Sequence, residues 1–446
     1  MKILRKQFLY FREYSFKCEG GQTVDKYYEK GLYSRELMEK IRSRFIYVDW
    51  DPYIGKRIFL EAASGSLRPK SVIKAMAKET CLPDQQGRAN PGSAHSVEVT
   101  AKGIKDLMVF FGAKSGQTIP GWSSSHVIYR ITNSVLSSIP GTNVVTTGLD
   151  HASVRSAVAQ FAEKYGKEER IAEPNRETGS VELDTILEKI DKDTCFLAVI
   201  HTSNVTGEIY DVKAIVKEAR KIKPDLYVMV DGVQYSPSGP IDVEDIGADA
   251  YVISPYKNYG VKGCGYAHVS DRLAKLPHWK YIFKPETSWD LGGVEHQSYA
   301  AWSAVVDYLC WLGGHFTDSA DRRAQVVAAM QSIKAHSTGL LSTLINGTDK
   351  IPGFKDMKHV TVYGMGEDLS SRVCLVGFNL KGIESTKGCE LYKGEQFRLH
   401  APGQDPFFAD MLKQLGISSF IRLSACHYNT PEEMEQFLKV TASFAK

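Results

Sequence analysis

The chain has 446 residues, about three times the usual length of one domain, which is enough for a large core and a second, smaller one. Apolar types at 43% and charged types at 24% match soluble globular proteins and exclude a mostly disordered or fibrous chain. Fifty-five Lys and Arg against 52 Asp and Glu leave a formal charge of +3, which argues against nucleic acid as the main partner and favours small molecules.

The amino terminus, MKILRKQFLYFREYSF, starts basic, but charges interrupt it before a secretory core develops. No run of about 18 uninterrupted apolar residues follows anywhere, so neither a signal peptide nor a membrane span is expected, and the chain reads as cytoplasmic. The eight cysteines (Cys18, Cys81, Cys195, Cys264, Cys310, Cys374, Cys389 and Cys426) form no CxxC pair and no Cys/His spacing suited to zinc. Free thiols in a reducing compartment and no metal site are expected.

Residues 1–55 are rich in Tyr, Arg, Lys and Glu, with a helical pattern from Tyr33 to Phe45 and no buried-strand run; they read as an extension packing on the body or on a partner subunit. From residue 56 to about 310, short apolar runs alternate with amphipathic stretches, the rhythm of βα units around a parallel sheet. Expected strands are His126 to Ile131, Asn143 to Thr147, Cys195 to His201, Leu226 to Val230, Ala250 to Ile253 and Gly265 to Val269, with β-branched content that predicts burial on both faces. Helices are expected at Ser153 to Tyr165 and at Val212 to Lys221, the second stopping before Pro224. Residues 311–446 read as a smaller α+β domain: a helix over Ala320 to Leu344, a strand over Val373 to Leu380, and a last helix from Pro431 to Phe444. Thr430 is the expected N-cap of that helix, with Glu432 and Glu433 in its first turn.

The chemistry concentrates between Val228 and Gly265. The apolar run VMVD ends at Asp231, and a second run leads through SPYK to Lys257, 26 residues later. Functional groups of an open α/β sheet gather outside the carboxyl ends of its strands, which puts both residues at one crevice. A carboxylate to keep a pyridine nitrogen protonated and a lysine to form a Schiff base with an aldehyde are what pyridoxal 5'-phosphate (PLP) requires.

The ordered motifs FLEAASGSLRP, ANPGSAH, LDHASV, HTSNVTGE, VDGVQ, SPYKNYGVKGCG and IRLSACHYNTPEE resemble the fold-type I PLP enzymes of aminotransferase class V, in their cysteine desulfurase and isopenicillin N epimerase branch. The resemblance covers roughly residues 56–446. It implies an α/β fold, with a mostly parallel, seven-stranded-type sheet, flanking helices and a smaller C-terminal α+β domain, in a homodimer acting on an amino acid. By the same resemblance Lys257 carries the cofactor aldehyde and shuttles the Cα proton, Asp231 pairs with the pyridinium nitrogen, Gln234 sits near the phenolic oxygen, and His151 stacks on the ring. Thr132, Asn133 and Ser134, at the start of an expected helix, together with Ser254 and Tyr256, are implied to hold the phosphate. Asn204 and Arg422 are implied to meet the substrate carboxylate, and His95 is a candidate on the substrate side.

Two departures bear on the reaction. Where desulfurases carry a nucleophilic cysteine on a mobile loop, this chain reads FRLHAPGQDPFF, and no Cys occurs between Cys389 and Cys426. Gly293 also stands where relatives often have a Thr that reaches across the dimer. The reading that follows is a lyase cleaving the Cβ–S bond of a cysteine-like amino acid without a catalytic cysteine. A class V aminotransferase or amino-acid epimerase is the alternative among enzymes, and a non-catalytic PLP-fold scaffold is the alternative of another class.

Overall fold

A computed structural model describes residues 31–364, 366, 368–402 and 405–445. The basic amino-terminal stretch and Cys18 lie outside the described residues. Seven strands form the main sheet: β1 (Gln117–Gly121), β2 (Asn143–Thr147), β3 (Glu168–Ala172), β4 (Thr194–Ile200), β5 (Tyr227–Asp231), β6 (Ala250–Ile253) and β7 (Gly265–Val269). Their order is β1-β7-β6-β5-β4-β2-β3. Only β7 runs antiparallel to its neighbours, so the sheet is mostly parallel as expected.

The apolar runs give this sheet because alternate side chains on each strand feed opposite faces. Val228, Val230, Tyr251 and Ile253 enter one hydrophobic cluster, while Met229, Ala250 and Val252 enter the other. Helices close both faces, and Asp231 and the turn leading to Lys257 stand at the carboxyl ends of β5 and β6. The helices expected near residues 153–165 and 212–221 are Ala152–Lys164 and Val212–Ile222.

One expected strand is a helix. His126 to Ile131 lies inside Ser124–Ser138, where Val127, Ile128, Ile131, Val135 and Leu136 form a buried stripe at helical spacing. The short β-branched run looks extended in isolation, but Ser123 caps the segment, its side chain accepting the His126 N–H at 3.1 Å. The two strands not expected from the sequence, β1 and β3, are the edges of the sheet. Edge strands carry more polar residues and lack the continuous apolar run that marks a central one.

A second sheet holds β8 (Val360–Val362), β9 (Leu375–Leu380) and β10 (Ile421–Ser424), all antiparallel. It packs with helices Arg322–Asn346 and Pro431–Ser443 around Phe354, Phe378 and Phe437. The last helix opens on a capping box, in which Thr430 receives the Glu433 N–H and the Glu433 carboxylate receives the Thr430 N–H. Ile58–Phe59 pairs in parallel with Phe397–Arg398, so the chain ahead of the main sheet is stitched to the carboxyl-terminal part. Helix Arg35–Arg44 buries Met38 and Ile41, followed by buried Phe45. Arg42 ties it down by donating to the Tyr428 carbonyl at 2.6 Å and pairing with Glu433 at 3.0 Å. Among the described residues no helix is long and apolar enough to cross a membrane.

Candidate active site

Asp231 ends β5 and faces Val252 on the adjacent β6, after which the chain turns through Ser254 into a single 3₁₀ turn, Pro255–Lys257. Both charged groups are buried: Lys257 is 8% exposed and Asp231 3%. One Asp231 oxygen accepts the Val233 N–H at 3.0 Å. Burial pushes the Asp231 carboxyl up, against the pull of that N–H and of Lys257. Burial and then the Arg422 charge bring the Lys257 amine down to about 8, while Asp231 opposes them. The pair attract each other, yet for each group desolvation outweighs the attraction. Two residues on, Tyr259 takes the left-handed conformation at φ +65°, uncommon for a bulky residue and often found at functional sites. It is held there by its N–H to Ser66 Oγ at 2.8 Å.

The helix Ser124–Ser138 begins beside the same turn. Gly265 on β7 lets that start approach, because a Cβ there would collide with the Ser123 and Ser124 backbone. Ser254 Oγ donates to Ser124 Oγ at 2.7 Å, Ser125 Oγ meets Ser153 Oγ at 2.6 Å, and Ser153 N–H donates to His151 Nδ1 at 3.1 Å. A chain of hydroxyls therefore joins the helix start to the imidazole and to the turn before Lys257. Burial first, then the charges of Lys257 and Arg422, bring His151 down to about 4, so its ring is neutral at pH 7.

Thr132, Asn133 and Ser134 do not belong to this group. They sit more than two turns inside the helix: Thr132 is fully buried, Asn133 Oδ1 accepts from the Tyr165 hydroxyl at 2.8 Å, and Ser134 Oγ donates to the Pro277 carbonyl at 2.7 Å. Helix-start chemistry selects Ser, Thr and Asn wherever they stand, and the true cap lies nine residues earlier. The sequence signal that marks it is the run Ser123–Ser124–Ser125 directly before the apolar periodicity.

Arg422 comes from β10, on the other side of the crevice. Its guanidinium donates to the Asn204 carbonyl at 3.1 Å and to Ser64 Oγ at 2.7 Å, and burial lowers it to about 10. Its Nε and the Asn204 Oδ1 are buried and have no partner among the described residues. Buried polar atoms without partners are costly, so a pair of them beside a cationic group marks a place for a ligand. Gln234 is buried and donates to the Ala63 carbonyl at 3.1 Å. The Tyr256 ring lies 5.8 Å from Lys257 Nζ, and burial raises its phenol. His95 is placed differently from the expectation: its Nε2 engages Glu79 Oε2 at 2.9 Å, fastening two helices together rather than reaching the crevice. Gly293 adopts φ +88° with Trp122 packed where a Cβ would stand, so this backbone excludes a Thr at that position.

The described cysteines are free thiols. Burial raises Cys426 to about 11 and Cys264 to about 12.

A buried lysine and aspartate on neighbouring strand ends, beside a serine-lined helix start, define the class of PLP-dependent α/β enzymes. The aminotransferase class-V family description matches residues 58–288, and the chain belongs to that family. It is 27% identical over 419 residues to an aminotransferase-like protein, FGM3, of Gibberella zeae, covering 90% of this chain and 96% of that protein. It is 22% identical over 412 residues to a cysteine desulfurase of Pectobacterium atrosepticum, covering 85% and 91%. The fold matches the apo cysteine desulfurase of Thermococcus onnurineus NA1 with a TM-score of 0.73 at 21% identity, over 87% of this chain and 94% of that one. The cysteine desulfurase CsdA of Escherichia coli gives the same TM-score, 0.73, at 18% identity, over 91% and 98%. The protein is a PLP-dependent enzyme of the class V aminotransferase and cysteine desulfurase type.

Proposed function

We propose that this enzyme is a lyase that cleaves the Cβ–S bond of a cysteine-like amino acid without a catalytic cysteine. The observation that carries the reading is the pairing of a complete PLP constellation with a substrate loop that holds no thiol. Residues 397–408 contain no Cys, and Cys426 is buried with its thiol raised to about 11.

The residues fit the cofactor. Lys257 would carry its aldehyde and Asp231 its ring nitrogen; among the described residues the buried Asp231 carboxyl has no cationic hydrogen-bond partner, which a pyridinium would supply. His151 would cover the ring face, with Gln234 at its edge. Ser124 and Ser125, the first N–H groups of their helix and Ser254 would take the phosphate, where the helix dipole favours an anion. Tyr256 would wall the amine. Bound PLP supplies an electron-accepting ring that lowers the barrier to losing a Cα proton.

The chain's own part is orientation and proton handling. Arg422 would grip the substrate carboxylate in a bidentate fork, with Asn204 beside it. Lys257, whose amine is held down to about 8, gives up its own proton more readily than an ordinary lysine and so is better suited to take up the Cα proton. We further infer a homodimer: Trp279, Tyr281, Ile282 and Phe283 are exposed on one segment, Phe283 at 97%, and a second copy would cover them.

The test is incubation with cysteine, cystine and S-substituted cysteines. Release of pyruvate, ammonia and sulfide or thiol is the expected result, and Lys257→Ala abolishes both turnover and the visible absorbance of bound cofactor. Keto acid appearing only alongside pyridoxamine phosphate would make the enzyme an aminotransferase. Purified protein that never acquires cofactor absorbance would make it a scaffold.

A further inference from the structure

His400 lies in the stretch that replaces the desulfurase cysteine loop, and none of the roles above uses it. It forms an isolated bridge with Arg422 in which His400 N–H donates to the Arg422 carbonyl at 3.3 Å and Arg422 N–H to the His400 carbonyl at 2.7 Å. Residues that exchange both bonds stand directly opposite, with side chains on the same face and Cβ atoms roughly 5.5 Å apart. The His400 imidazole thus shares a face with the guanidinium proposed to grip the substrate. One aromatic ring backs both groups: Phe408 lies 5.3 Å from Arg422 Cζ and 5.9 Å, centroid to centroid, from the imidazole.

The imidazole is also uncommitted. Among the described residues it makes no hydrogen bond; its Nδ1 stands 3.9 Å from Glu61 Oε1, beyond hydrogen-bond reach, and Glu61 is engaged by Arg398 at 2.7 Å. Its side chain is 26% exposed and partly desolvated. The charges facing it are Arg422, Glu61 and Asp405; burial and Arg422 lower the ring below its ordinary value against the two carboxylates, so it is uncharged at neutral pH.

We propose that His400 is the specificity-determining residue for the substrate's sulfur, donating an imidazole N–H to the leaving group as the Cβ–S bond breaks. The proposal rests on the lyase reading above. In the step, the Cα–H bond breaks with its proton going to Lys257 and its electron pair becoming the Cα–Cβ double bond. The C–S pair leaves on sulfur as thiolate, which then takes a proton from water. His400 keeps its own proton throughout, which suits an uncharged ring: it lowers the energy of the forming anion by hydrogen bonding alone. This is a different use of the loop from nucleophilic attack on sulfur, and it requires no cysteine.

The experiment compares three reactions in wild type, His400→Leu and His400→Gln: thiol release from S-ethylcysteine, chloride release from β-chloroalanine, and exchange of the alanine Cα proton with deuterated water. Chloride leaves readily without a donor, and alanine has nothing to expel. The expected result is a loss of about 10- to 100-fold in thiol release for His400→Leu, part of it restored in His400→Gln by the amide N–H, with the other two reactions nearly unchanged. As a reading independent of turnover, the His400 ring-nitrogen resonance in ¹⁵N-histidine protein, identified by its loss in the variants, shifts on adding S-ethylcysteine but not alanine. An equal fall in all three reactions would reduce His400 to a prop for Arg422 and overturn the proposal, as would unchanged thiol release. Wild type that exchanges alanine but frees no thiol refutes the lyase reading itself, and His400's role with it.

Discussion

The two walls of the crevice are built from different material. On the lysine wall, Asp231, Ser254 and Lys257 stand at the ends of central strands that are buried but for Tyr227 at the start of β5, and the His151 and Ser124 helix starts are fixed by hydroxyl contacts. On the opposite wall, Arg422 lies on a strand of the second sheet and pairs with His400 in a non-repetitive stretch, while Asp405 caps the helix Pro406–Leu415, whose Phe407 is 58% exposed. A rigid wall suits the cofactor, which is the same in every turnover. A wall of loop and short strand can be rebuilt for a new side chain without disturbing the first.

The sharpest way to break this contrast is Arg422→Lys. A lysine keeps the charge but loses the planar fork, so KM for the amino acid should rise about 100-fold while cofactor absorbance stays intact. If cofactor is lost as well, the walls are not separable. The second test is pH. Because the Lys257 amine is held down to about 8, it is about half neutral at that pH and mostly neutral above it. The rate of cofactor capture by the apoprotein, followed by stopped-flow absorbance, should therefore climb about tenfold from pH 7 to 9 and then level off, whereas an unshifted lysine would keep gaining up to about pH 10.5. Asp231→Asn removes a charge that raises this amine and should move the midpoint lower still. A last test probes the lysine wall from within: Ser124→Ala should weaken cofactor retention about tenfold in equilibrium dialysis, the low end of the worth of one hydrogen bond to a charged group. Thr132→Ala, inside the helix, should leave it unchanged.

The lysine wall was also the more legible in sequence. Asp231 and Lys257 follow apolar runs long enough to be read as central strands, and their spacing needs only the rule that strands deliver residues to their carboxyl ends. His151 and Ser254 come with the same runs. The helix start was misplaced by nine residues because VIYRI reads as a strand by composition, and a Thr-Asn-Ser run imitates a cap as well as the real Ser-Ser-Ser does. His95 was misread for a similar reason: a histidine in a polar turn motif does not show whether it meets a ligand or, as here, a neighbouring helix through Glu79.

Local pattern alone determined the large α/β core, the order of its central strands along the chain, and the acid and amine proposed to serve one cofactor, because burial on both faces leaves a continuous apolar signature in each central strand. Only the tertiary structure decided which serines open the helix beside Ser254, that Glu79 claims His95, and that His400 shares a face with Arg422. Those placements depend on contacts between residues far apart in the chain, such as Ser124 with Ser254, and no periodicity within one segment encodes a partner that another segment supplies.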